Sequence, residues 1–127
     1  GRSGGLAGGI FSLDIRDPKN TFKRINAAGS GHRDGELGVA LFNAPWQIYF
    51  DPEGYLYIAD AGNHCIRRIS PQDMVETIVG MPGTKGWKDG GPDEALFNEP
   101  RGVGVDKEGA VYIADWGNNR VRKLAIE

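Results

Sequence analysis

Two stretches of this chain carry nearly the same text. Ala40-Leu41-Phe42-Asn43 with Pro45 returns as Ala95-Leu96-Phe97-Asn98 with Pro100, and Tyr57-Ile58-Ala59-Asp60 returns as Tyr112-Ile113-Ala114-Asp115, both at an offset of 55 residues. One spacing shared by separate phrases marks a structural unit copied along the chain, so the fold is an array of similar pieces. The frame starts before Ala40. Gly31-His32-Arg33-Asp34-Gly35 precedes Gly86-Trp87-Lys88-Asp89-Gly90 by the same 55 residues and keeps a Gly-x-x-Asp-Gly pattern.

Within a copy, short β-rich runs alternate with turn residues, and no window shows the apolar recurrence of a long amphipathic helix. Twenty glycines among 127 residues, about double ordinary usage of ~7%, agree with many tight turns. The spacing predicts strands over Gln47 to Asp51, Tyr55 to Asp60, His64 to Ser70 and Met74 to Val79, broken at Pro52-Glu53-Gly54, Ala61-Gly62-Asn63 and Pro71-Gln72-Asp73. That is a four-stranded antiparallel meander. The second copy repeats three strands, Gly102 to Asp106, Ala110 to Asp115 and Asn119 to Ile126, without a fourth. Ile10 to Ile15 and Thr21 to Asn26, around the breaker Arg16 to Asn20, resemble the third and fourth strands of a preceding unit. The expected division is 1–26, the end of a preceding blade; 27–80, a complete blade; and 81–127, a blade lacking its fourth strand. Leu56, Tyr57, Ile58 and Ala59 are apolar on both faces, so each sheet needs cover on both sides, as in an all-β stack of β-propeller blades.

Phe42-Asn43-x-Pro45 followed by Asp51-x-x-Gly54-x-Leu56-Tyr57-Ile58-Ala59-Asp60-x-Gly62-Asn63-x-x-Ile66-Arg67 resembles the NHL repeat. Phe97-Asn98-x-Pro100 through Asp115-x-Gly117-Asn118-x-x-Val121-Arg122 matches it again. The resemblance covers about residues 27 to 126. It implies blades whose first strands line a central axis, usually six to a ring. Two and a part blades do not close a ring, so the expectation is a piece of a longer chain or a homo-oligomer, with a trimer supplying six blades. It also implies a range of activities, since relatives include lyases, calcium-dependent hydrolases of the wider six-bladed class and RNA-binding propellers.

The residues narrow that range. A net charge of −2 and no dense basic run disfavour nucleic acid. Arg67, Arg68, Arg120, Arg122 and Lys123 fall on third strands, where a solvated edge is the expected role. No run approaches a membrane helix, and Gly1 to Gly5 lack the apolar stretch of a signal peptide. A chain that starts at Gly is expected to be processed or excised. Cys65 stands alone and reads as a small hydrophobe. His32 and His64, the two histidines, fall in different connections, with no His-x-x-x-His or Cys-x-x-Cys pair, so no metal, cofactor or catalytic residue is assigned. Asp60 and Asp115, in the recurring Asp-x-Gly-Asn, read as turn formers rather than ligands.

Residues shared by both copies build the unit, so a ligand site belongs to positions that differ. Trp46 faces Arg101, Ala61 faces Trp116, His64 faces Asn119 and Tyr49 faces Gly104 in the internal alignment. Meander geometry gathers Trp46, Arg101 and Trp116 with Trp87 and Lys88 of the long loop at one edge of the blades. These five are the candidate binding residues for a protein or small-molecule ligand. The reading is a non-catalytic recognition module, with a metal-dependent hydrolase or lyase as the alternative and an RNA-binding propeller after it.

Overall fold

The computed structural model describes residues 8–12, 14–90 and 94–125. Gly1 to Gly5, Leu13, Gly91 and Ile126, which enter the expectations above, lie outside the described residues. The elements are short strands joined by turns. β1 (Phe11–Ser12) pairs with β2 (Lys23–Arg24) across a single helical turn, α1 (Pro18–Thr21), where the sequence suggests only a breaker. After β3 (Gly35–Glu36) come β4 (Pro45–Phe50), β5 (Leu56–Asp60), β6 (Cys65–Ile69) and β7 (Met74–Gly80), and then β8 (Pro100–Val105), β9 (Ala110–Asp115) and β10 (Arg120–Ala125). The sheets are antiparallel, in the orders β1-β2, β3-β7-β6-β5-β4 and β10-β9-β8.

The middle blade departs from a plain four-stranded meander. Gly35 and Glu36 pair with Val75 and Met74, so the segment leading into the blade returns as a fifth, outermost strand. Such a strand covers the open edge of β7, which would otherwise present unpaired main-chain groups. Among the described residues the third blade has three strands, β8, β9 and β10.

Alternation explains why these strands are apolar on both faces. Ile58 of β5 points into a core with Ile10, Ala40, Phe42, Ile69 and Val75, between the first and middle blades. Its neighbours Tyr57 and Ala59 point the other way, into a core with Ile66, Val79, Ala95, Phe97, Val103, Val111 and Ile113, between the middle and third blades. One strand thus feeds two cores. The outermost faces are open. Tyr57 and Ile66 are 6% and 0% exposed, whereas their counterparts Tyr112 and Val121 are 38% and 75% exposed. At the other end, Ile48 and Phe50 of β4 are uncovered.

The recurring polar residues form one buried network, made twice. Asp60 accepts the Asn43 N–H through Oδ1 at 2.8 Å, and Asn63 Nδ2 and Arg67 Nη1 through Oδ2 at 2.8 and 2.7 Å. Asp115 receives Asn98 N–H, Asn118 Nδ2 and Arg122 Nη1, each at 2.8 Å. Each guanidinium continues to the preceding loop. Arg67 reaches the carbonyls of Leu41 and Arg33 and the carboxylate of Asp34, and Arg122 reaches those of Leu96, Lys88 and Asp89. Each also lies over a phenylalanine ring, Phe42 at 4.4 Å or Phe97 at 4.6 Å. The turn glycines are part of the fit: a Cβ on Gly62 or Gly117 would come within 2.6 Å or 2.5 Å of Asn43 or Asn98.

This corrects the expectation for two of the third-strand cations, Arg67 and Arg122, whereas Arg120 and Lys123 are exposed as expected of a solvated edge. Arg67 is wholly buried, and Arg122 nearly so, because two carboxylates and two carbonyls replace the water a solvated edge would have supplied. Burial pushes the Asp60 carboxyl above its usual range, against the opposing bonds from Asn63, from the Asn43 N–H and from Arg67. Removing one partner of such a pair strands the other. Arg67→Ala is expected to cost about 3–5 kcal/mol in urea denaturation. Arg122→Ala costs less, because its second carboxylate, Asp89, is 78% exposed.

Candidate functional site

With the shared residues committed to the scaffold, the differing ones are left at the blade heads. Both inner strands open in the same unusual way. Ala44 and Glu99 take left-handed backbone, φ 54° and 53°, and an irregularity follows between Pro45 and Ile48 and between Pro100 and Gly102. A bulge re-aims the side chain it carries. Here the re-aimed side chains are Trp46 and Arg101.

The structure brings Trp46, Arg101 and Trp116 together. The Arg101 guanidinium carbon lies 4.2 Å from the centroid of the Trp46 ring and 3.6 Å from that of Trp116. Trp46 comes from β4, Arg101 from β8, and Trp116 from the 3₁₀ turn Trp116–Asn118 between β9 and β10. The stack therefore crosses the junction of two blades. Both indoles remain more than half exposed, at 59% and 54%. Packing a cation between two rings stiffens a long side chain.

The other two candidates are placed apart from this stack. Trp87 lies under Arg120, 4.6 Å from ring centroid to guanidinium carbon. Lys88 contributes main chain: it bridges to Leu96, and its carbonyl accepts from Arg122 Nη2 at 2.9 Å.

Three contributors were not among the candidate binding residues. Glu99 Oε1 accepts from Arg101 Nη2 at 3.2 Å, and the Glu99 N–H donates to His64 Nδ1 at 3.0 Å. Gln47 Oε1 accepts the Val103 N–H at 2.8 Å, tying β4 to β8. The signal was available, since Glu99 stands opposite Ala44, and Gln47 opposite Gly102, in the internal alignment. Because His64 Nδ1 accepts a proton-bearing N–H, the imidazole here is neutral with its proton on Nε2. His32 meets the hydroxyl of Thr77, on β7, at 2.8 Å. Burial pushes the Cys65 thiol well up, which leaves it an unreactive core residue.

A profile of the NHL repeat matches residues 42–69 and 97–124, the two spans holding the asparagine, aspartate and arginine of the buried networks. The chain belongs to the NHL-repeat family. Human NHL repeat-containing protein 3 is 32% identical over 121 residues, covering 92% of this chain and 33% of that protein. The probable peptidyl-alpha-hydroxyglycine alpha-amidating lyase pgal-1 of Caenorhabditis elegans is 33% identical over 90 residues, covering 70% and 25%. Among solved structures, an auxiliary nutrient binding protein from Bacteroides thetaiotaomicron superposes with a TM-score of 0.78 at 29% identity, over 94% of this chain and 33% of that one. The chain spans a third or less of each of these proteins. The blades are accordingly NHL blades of a β-propeller.

The NHL blade junction carries a proton-sensitive bond. Burial holds the His64 imidazole below its usual value, Lys85 adds to the effect, and Glu99 and Asp115 oppose it. A depressed histidine favours the neutral form in the fold, so the unfolded chain binds more protons between the folded value and 6.5, and stability rises with pH across that window. It is fully present above 6.5 and is lost as pH falls through the folded value. His32 acts with the same sign, since burial and Arg67 lower it as well. His64→Asn keeps a residue suited to the left-handed turn, as at Asn119. Denaturation midpoints at about pH 5 and about pH 8 should differ less in this variant than in the unsubstituted chain.

Proposed function

We propose that this chain is a non-catalytic recognition module, in which NHL blades hold one face of a propeller toward a protein or small-molecule ligand. The observation that carries the reading is the Arg101 guanidinium stacked between two exposed indoles at a blade junction. Tryptophan and arginine dominate the energetics of binding surfaces, and a pre-ordered stack loses little side-chain entropy when a ligand arrives. The nutrient-binding structure of B. thetaiotaomicron supports a binding use of this architecture. The burial of Arg67 and Arg122 supports it from another side, since these cations are spent within the scaffold and not offered to a nucleic-acid backbone. Expected outcome: in a ligand-observed magnetic resonance screen of peptides and small molecules against the full chain, hits weaken about tenfold or more in Trp46→Ala/Trp116→Ala. They persist in Trp87→Ala. Hits indifferent to the double substitution would place recognition elsewhere. Turnover of a hydroxyglycine-extended peptide would replace binding with the chemistry named for the C. elegans relative.

The same reading covers the open apolar faces with further NHL blades, six to a closed ring. Counterparts of Tyr112 and Val121 are already covered in that way by the third blade. The blades come from three copies of the chain or from a longer polypeptide. Sedimentation at micromolar concentration checks this: a trimer is expected from copies, and non-specific association from a chain lacking its neighbours. A well-behaved monomer would refute the need for cover.

A further inference from the structure

Arg101 is bonded on only half of the edge with which arginine grips carboxylates. Nη2 donates to Glu99 Oε1 at 3.2 Å, while Nε, on the same edge, has no partner among the described residues and is shielded from solvent. Three other arginines give both groups to one carboxylate. Arg16 gives Nε and Nη2 to the two oxygens of Asp14 at 3.0 and 2.8 Å, Arg67 gives both to Asp34 at 3.1 and 2.9 Å, and Arg68 gives both to Glu76. Glu99 is held by its own main chain, which is left-handed and anchored on His64, and its carboxylate reaches only one of the two nitrogens.

The surroundings restrict what could complete the edge. The Trp46 and Trp116 ring centroids lie 4.2 and 3.6 Å from the guanidinium carbon and block approach from the ring sides, which leaves the N–H edge for a ligand. In-plane pairs of N–H donors match a carboxylate. We propose that the Nε and Nη2 edge of Arg101 is a subsite for a ligand carboxylate, occupied by Glu99 when no ligand is bound. The proposal rests on the recognition reading above. A ligand carboxylate replaces one long bond with two side-on bonds and satisfies the idle Nε. The Glu99 carboxylate is 44% exposed, so its release into water costs little. The outward indole faces take the apolar body that carries the carboxylate.

Calorimetric titration of the full chain with benzoate, with N-acetylphenylalanine and with N-acetylphenylalanine amide tests the subsite. The acids are expected to bind about tenfold or more tightly than the amide, because the charge-assisted pair is lost in the amide. Preference for N-acetylphenylalanine over benzoate marks a peptide terminus as the source, and the reverse marks a free acid; either supports the subsite. Arg101→Lys should weaken the acids about tenfold, since an ammonium cannot offer the paired edge. Glu99→Gln should strengthen them severalfold by weakening the resident competitor. Acid and amide binding equally, or acids unaffected by Glu99→Gln and Arg101→Lys, overturns the subsite. If that equal binding still disappears in Trp46→Ala/Trp116→Ala, the recognition face stands without it. Absence of heat with all three probes overturns the subsite, whereas the recognition face is judged by the library screen.

Discussion

The arrangement depends on one buried charge pair in each of the middle and third blades, Arg67 with Asp60 and Arg122 with Asp115. Such a pair is an expensive way to stabilise a core, because two ions leave water and apolar residues of similar volume would serve as well. Its use here is positional. The guanidinium of β6 ties the turn after β5, through Asp60, to the loop before β4, through Leu41, Arg33 and Asp34. Three segments distant in sequence are thereby fixed to within a hydrogen-bond length, and the carboxylate in turn fixes the Asn43 N–H at the head of the inner strand. Each partner has defined directions, so the geometry of the strand head is set more tightly than apolar packing alone would set it.

That rigidity lets the blade heads carry unusual backbone. A left-handed Ala44 or Glu99 beside a proline is strained for a residue with a side chain, and it persists only where neighbours over-determine it. Asn43 and Gly62 are in mutual contact on one side, with the Gly62 N–H donating to the Asn43 carbonyl at 2.8 Å, and Pro45 pairs with Asp60 on the other. The bulge that follows aims Trp46 and Arg101 out of the sheet. The scaffold and the candidate site are thus linked through a few main-chain angles.

Much of this was legible in the sequence, and the rest was hidden for identifiable reasons. The repeat placed the strands to within a few residues, because alternation and turn chemistry are local properties. Gly35 and Glu36 could not be read as a strand: two residues carry no periodicity, and their partner, β7, lies about forty residues away. Arg67 read as exposed because a charged residue on an outer strand usually is, and nothing local announces that Asp34, Asp60 and two carbonyls converge on it. The mismatch Trp46 against Arg101 was visible. What the text of the chain lacks is that Arg101 lies in a slot between two indoles, since Trp116 comes from a different connection and the slot exists only once the blades pack.

The differences between the two copies are themselves complementary across the junction. Gln47 of the middle blade reaches the Val103 N–H past Gly102, its own counterpart, where a Cβ would lie 3.0 Å from the Gln47 oxygen. His64 of the middle blade accepts from Glu99 of the third, and Trp46 of the middle blade covers Arg101 of the third. In each case a change in one copy faces a compensating change in the next. Where the partners share a repeat position, as Trp46 with Arg101 and Gln47 with Gly102 do, identical blades could not make the contact, because the same residue would stand on both sides. The stack is therefore a property of the junction and of the order of the blades, and a single blade taken alone would hold the NHL scaffold without the site.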